Sequence, residues 1–189
     1  MIKPSINLQD LRRKIYVKAK SESQWRFWGL YVHICKADVL REAYRQAKRN
    51  RGTAGIDNMT FNDIEVYGVD KYLEEIRKEL VEQTYKPMRP REVQIPKSDG
   101  KSTRTLKIAA IRGRIVQGAV KLIIEPIFEA DFKDGSYGYR PKRSAAMACQ
   151  KVTIALLHGN TKAYDVDIEA YFDRCEPWRG RRPEASSPR

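Results

Sequence analysis

"RIVQGAVKLIIEPIFEADFKDGSYGYRPKRSA", residues 114–145, decides the fold because its pattern changes halfway along. The first half places Ile115, Val116, Ala119, Val120, Ile123, Ile124, Ile127 and Phe128 at the three- and four-residue spacing of one helix face. Pro126 falls near the end of that stripe, where its ring and missing N–H predict a kink or a stop. The second half drops the period: "KDGSYGYRPKRS" holds two glycines and a proline and reads as a loop. In it Tyr137 and Tyr139 flank Gly138, and Arg140, Lys142 and Arg143 surround Pro141. Glycine allows close backbone approach, aromatic rings stack on bases, and the cations can meet phosphates. A capped loop carrying stray tyrosines accounts for the same residues.

Upstream, "REVQIP" (91–96) alternates Val93 and Ile95 with polar residues, and "RTLKIAAI" (104–111) alternates Leu106, Ile108 and Ala110. The turn formers of "KSDGKST" lie between them, so the segment reads as a β-hairpin with a long basic tip. Lys97 and Arg104 stand one at each base of that turn, and strand pairing brings both to one end of the sheet. An ammonium beside a forked guanidinium suits a triphosphate; a charged tip in solvent is the alternative. Further upstream, Val69, Tyr72, Leu73, Ile76 and Leu80 predict a helix over 69–83, and Thr60 with Asp63 has the form of a capping box. Val39, Leu40, Ala43, Tyr44 and Ala47 predict another over 37–49, running into the basic, glycine-containing loop "KRNRGTAGIDNMT" (48–60).

Downstream, Ser144 is a plausible N-cap and Gly159 a stop for a helix ending at His158. "KAYDVDI" (162–168) then alternates as a strand, with Tyr164, Val166 and Ile168 on one face and Asp165 and Asp167 on the other. A carboxylate at a strand end suits Mg²⁺ held through one or two carboxylates plus substrate phosphates. One strand cannot complete such a site, and acids at a strand end also simply face water. Asp165-Val166-Asp167 has the spacing of a sugar-nucleotide transferase metal motif too, but that class wants a nucleotide-binding α/β unit where this chain has a basic hairpin. After Asp173 the period is lost: sixteen residues hold five arginines and three prolines.

The 189 residues suffice for one domain, or one and the start of another. Hydrophobic residues are 41% and charged residues 32%, apolar enough for a core. Net charge is +13, which makes a polyanion the leading partner class and nucleic acid the leading polyanion. A solubilising surface is the plainer explanation of charge alone. Cys35, Cys149 and Cys175 are odd in number and scattered, as are His33 and His158, which argues against a disulfide framework or zinc site. No signal-peptide core and no run of about 20 apolar residues is present, so a soluble, intracellular, cytoplasmic protein without a membrane partner is expected.

"IPKSDGKSTRTL" (95–106), residues 114–145 and "DVDIEAYFD" (165–173), in that order and spacing, resemble the fingers and first palm strand of group II intron reverse transcriptases. "KRNRGTAGIDNMT" resembles the loop that precedes the fingers in the same family, and the likeness covers roughly residues 10–173. It implies an α+β fold with a helical N-terminal extension and basic loop (1–58), a fingers subdomain (59–160) and the first strand of an incomplete palm (161–173). Residues 174–189 do not match the family's continuation and read as a divergent, disordered tail, a truncated or frameshifted end.

The resemblance further implies RNA-directed DNA synthesis with an intron-RNA maturase role. RNA (intron and template), a DNA primer and dNTP would be partners, and Mg²⁺ the cofactor. Asp167 would be the first metal-binding aspartate. Lys97 and Arg104 would grip the triphosphate, Phe172 would pack on the sugar, and Arg140 and Pro141 would line the template and nucleotide pocket. RNA contacts are expected from Lys48, Arg49, Arg51, Arg112, Arg114, Tyr137, Tyr139, Lys142 and Arg143. Where the family reads close to "LGIPTVRDR", this chain reads "LKIAAIRGR" (106–114), and the family's paired aspartates are absent: no two aspartates are adjacent anywhere. A non-catalytic RNA-binding module with the same basic surface is the alternative. Under either reading the chain is expected to bind RNA and not to polymerise; its oligomeric state is not legible.

Overall fold

The computed structural model describes residues 6–96, 103–169 and 171. Seven helices and one hairpin follow in chain order among them: α1 (Ile6–Ser21), α2 (Leu30–Ile34), α3 (Ala37–Arg49), α4 (Phe61–Tyr67), α5 (Val69–Val81), β1 (Arg91–Pro96), β2 (Thr103–Ile108), α6 (Ile111–Asp131) and α7 (Ala145–Leu157). They fall into two compact units, residues 1–136 and 137–189.

The first unit is built around α6. Ile111, Ile115, Ala119 and Ile123 are fully buried at four-residue intervals, so the sequence stripe gives the helix's core face except at Phe128, which is exposed. Val39, Leu40 and Ala43 of α3 pack into the same cluster, as do Leu8 and Ile15 of α1 and Leu73 and Ile76 of α5. Where α3 crosses α6 both chains are small: a Cβ added at Gly118 would stand 3.3 Å from the Ala43 Cβ. Arg12 meets Leu122 and Lys20 meets Ala130, a constant offset of 110 residues, so α1 runs parallel to α6.

Helix boundaries follow local chemistry. Thr60 accepts from the Asp63 N–H while the Asp63 carboxylate accepts from the Thr60 N–H, a complete capping box at the start of α4. The hydrogen bonds from Thr60 hold the Asp63 carboxyl below its usual pKa. Gly68, with φ 103°, separates α4 from α5. Ser144 caps α7 by accepting from Met147 N–H, and Gly159, with φ 83°, follows its end.

Two expectations are corrected. Of the kink or stop expected at Pro126, the stop does not occur: α6 runs five residues further to Asp131. Proline cannot donate to the carbonyl of Leu122, four residues back; the Arg12 guanidinium takes that place at 3.0 Å and also pairs with Glu125 at 2.7 Å. Residues 160–168 form no strand. Alternation gives a segment two different faces, but a strand needs a neighbour for its N–H and C=O groups, and among the described residues the sheet consists of β1 and β2 only.

β1 and β2 pair antiparallel from Arg91↔Ile108 to Pro96↔Thr103. β1 alternates half-buried with exposed residues, and β2 is exposed for its first five.

Candidate nucleic-acid interface

The loop after α3 begins the site. Arg51 and Asn58 take the left-handed φ values 45° and 54°, which turn the chain sharply at each end of it. Between them the backbone lies flat on the start of α6: a Cβ at Gly55 would come within 2.4 Å of Ala110 Cα and 2.6 Å of its N. Only a glycine fits there. A Cβ at Gly52 would instead meet the tip of Arg114, 2.4 Å from its Nη1.

Arg114, one turn into α6, holds the loop from below. Its Nε donates to Ala109 O at 2.8 Å, and its Nη2 donates to Thr53 O. Arg91 at the base of β1 reaches the Thr53 Oγ1 at 3.5 Å. Thr53 thus joins the loop, the hairpin and α6. Burial lowers the Arg114 pKa from its ordinary value, yet a guanidinium stays charged.

The cations expected to meet RNA divide into two sets. Arg112 is ion-paired with Glu79 and mostly covered, and Arg114 is engaged with two carbonyls. Lys48 pairs with Glu65, both ends exposed, and that hydrogen bond raises the Lys48 pKa. The Arg49 and Arg51 side chains are exposed and make no ion pair among the described residues. Sequence reasoning treated all five alike. It passed over Arg91, Thr53 and the two glycines as anchors, although Gly52-x-x-Gly55 was the available signal.

Arg104 is exposed on β2 and faces Ile95 across the ladder. Lys97, expected beside it, lies outside the described residues, as do Phe172 and the 174–189 tail. In the second unit, the Arg143 guanidinium sits 5.4 Å from the Tyr137 ring centroid, within cation–π range. Tyr139, at φ 55°, exposes its whole ring, and Lys142, at φ 59°, is exposed beside Pro141. Arg140 is buried, unlike its basic neighbours in this loop. A wholly exposed ring next to cations is what stacking on an unpaired base requires.

Asp165 and Asp167 are exposed. The Asp167 Oδ1 accepts from Ile168 N–H at 2.9 Å. Among the described residues no three Asp, Glu, His or Cys side chains gather as metal ligands. No described helix is long and apolar enough to cross a membrane.

No family model matches the chain. It is 36% identical over 172 residues to protein YkfC of Escherichia coli K12, a match covering 88% of this chain and 45% of that protein. It is 31% identical over 153 residues to the group II intron-encoded protein LtrA of Lactococcus lactis subsp. cremoris, covering 79% of this chain and 24% of LtrA. This chain has group II intron-encoded relatives. A protein in the cob intron of Schizosaccharomyces pombe is 30% identical over 142 residues, 74% of this chain and 17% of its own length. The chain therefore spans less than half the length of these relatives. The first two matches are long enough that each must contain the 48–60 loop, the hairpin and the tyrosine loop. The span matched to an intron-encoded protein thus includes the segments that carry the exposed cations.

Proposed function

We propose that this chain is the RNA-binding, fingers portion of a group II intron-type RNA-directed DNA polymerase, with a maturase role in holding intron RNA. The match to LtrA over 79% of the chain carries this reading, and the exposed cations and aromatics support it. In it, Arg49 and Arg51 meet RNA phosphates, while Tyr137, Tyr139, Lys142 and Arg143 form a stacking and phosphate-contacting loop. Arg104, with Lys97, holds the triphosphate of the incoming dNTP; in the second unit the resemblance gives Arg140 and Pro141 a role toward template and nucleotide, and Phe172 one in the choice of sugar. The partners are intron and template RNA, a DNA primer and dNTP.

The described acids do not by themselves fit a resident Mg²⁺. Asp167 is the one metal-binding residue of the reading, and among the described residues no three ligand side chains gather, whereas two-metal catalysis needs carboxylates enough to fix two mutually repelling ions. No step is routed through the ion. A second reading, in which the chain binds RNA without chemistry, draws on the same exposed cations and aromatics.

Primer extension with template binding tests both. With an RNA template, an annealed DNA primer, dNTPs and Mg²⁺, the chain is expected to bind the template and leave the primer at its original length. Extension that disappears in Asp167→Asn would establish polymerase activity in these 189 residues. Absence of template binding would remove both readings.

A further inference from the structure

We infer that Arg114 is a positioning residue, a latch that holds the basic loop after α3 against the base of the hairpin, and that it does not contact RNA itself. The inference rests on the RNA-binding reading for its consequence, but the latch stands on geometry alone. A guanidinium that donates through Nε to Ala109 O at 2.8 Å and through Nη2 to Thr53 O has turned one whole edge of its fork to the protein's own backbone. Gly52 leaves the space that the Nη1 end occupies, since a Cβ there would lie 2.4 Å from it. Arg91 approaches the same Thr53 from the hairpin side, through the hydroxyl. The two arginines thus converge on one loop residue from two elements.

The consequence is mechanical. Arg51 sits two residues before Thr53, and Arg49 closes α3 just ahead of it. Fixing Thr53 fixes where these exposed cations stand relative to the hairpin that carries Arg104. Preorganised cations lose less conformational freedom on binding. A lysine cannot replace this arginine: an ammonium is a point charge and lacks the rigid fork that reaches two carbonyls at once. A phosphate contact, by contrast, tolerates a lysine.

The test uses the full chain and two measurements: backbone amide exchange without RNA, and fluorescence anisotropy with a labelled single-stranded RNA. Arg114→Ala and Arg114→Lys are expected to speed exchange at Asn58 and Met59 by about tenfold or more, with the α3 and α6 amides unchanged. Both variants should weaken RNA binding several-fold. Gly52→Ala supplies the decisive arm, because it keeps Arg114 and its charge while displacing the guanidinium tip. It is expected to reproduce both effects. Wild-type exchange in Arg114→Ala, or full rescue by Arg114→Lys, would overturn the latch, as would unchanged exchange and binding in Gly52→Ala. A wild-type chain that binds no RNA would instead overturn the RNA-binding reading, since the exchange arm reports on the latch without RNA.

Discussion

Gly55 and Gly52 look alike in the sequence, three residues apart in one loop, yet they oppose different atoms. Gly55 faces backbone, which cannot move aside, whereas Gly52 faces the end of a flexible arginine. Gly55→Ala is therefore expected to cost about 1–3 kcal/mol, as overpacking does, and to lower the thermal midpoint well below that of Gly52→Ala. Equal midpoints for the two variants would contradict the close approach to Ala110. Tyr72 carries a pH prediction. Burial, its largest influence, pushes its phenol up to about 12 from 10.0, partly opposed by Arg112. A folded pKa above the unfolded one gives stability that is intact below pH 10 and is lost as the pH rises toward 12. Tyr72→Phe removes the ionisable group, so its stability is expected to fall less steeply over that interval; an identical slope in both proteins would refute the assignment.

Elements with a strong period were the legible part. The stripes of α3, α5 and α6 and the alternation of the hairpin need only local spacing, and each element forms where that spacing lies. α1 was passed over although Leu8, Leu11, Ile15 and Ala19 make a helical stripe that packs on the core; what no window of sequence contains is its register on α6, where Arg12 and Lys20 reach carbonyls 110 residues away. The 160–168 segment failed for the opposite reason, since its pattern was right but pairing depends on a partner. Pro126 shows the same dependence on distant residues. Its tolerance inside α6 is explained by Arg12 occupying the freed Leu122 carbonyl, so the two residues are coupled. Arg12→Ala is expected to cost about 1–3 kcal/mol, the penalty for stranding a half-buried polar group. In a Pro126→Ala background the restored N–H satisfies Leu122, and the cost should shrink. A double-mutant cycle with no coupling energy would show that Arg12 acts only through Glu125.

At the scale of the whole molecule, net charge and the order of motifs point to nucleic acid from the sequence alone. The division of labour among the cations was not legible there. Arg49, Arg51, Arg112 and Arg114 are equivalent as letters; the fold commits Arg112 to Glu79 and Arg114 to the loop, and leaves Arg49 and Arg51 outward. The acids were likewise legible as candidates and not as a site, because a metal centre is assembled from separate elements and the described residues bring no such group together.

The claim that this surface binds RNA through phosphate contacts is tested most directly by the salt dependence of affinity. Anisotropy of a labelled single-stranded RNA, titrated with the chain in a series of KCl concentrations, gives log Kd against log salt. With about six contacts the affinity is predicted to fall by about 10²–10³ between roughly 50 and 200 mM, because each neutralised phosphate releases counterions. Arg51→Ala should lower the slope by about 0.7, one single-strand contact. Binding that is flat in salt, or absent at the lowest concentration, would contradict the account.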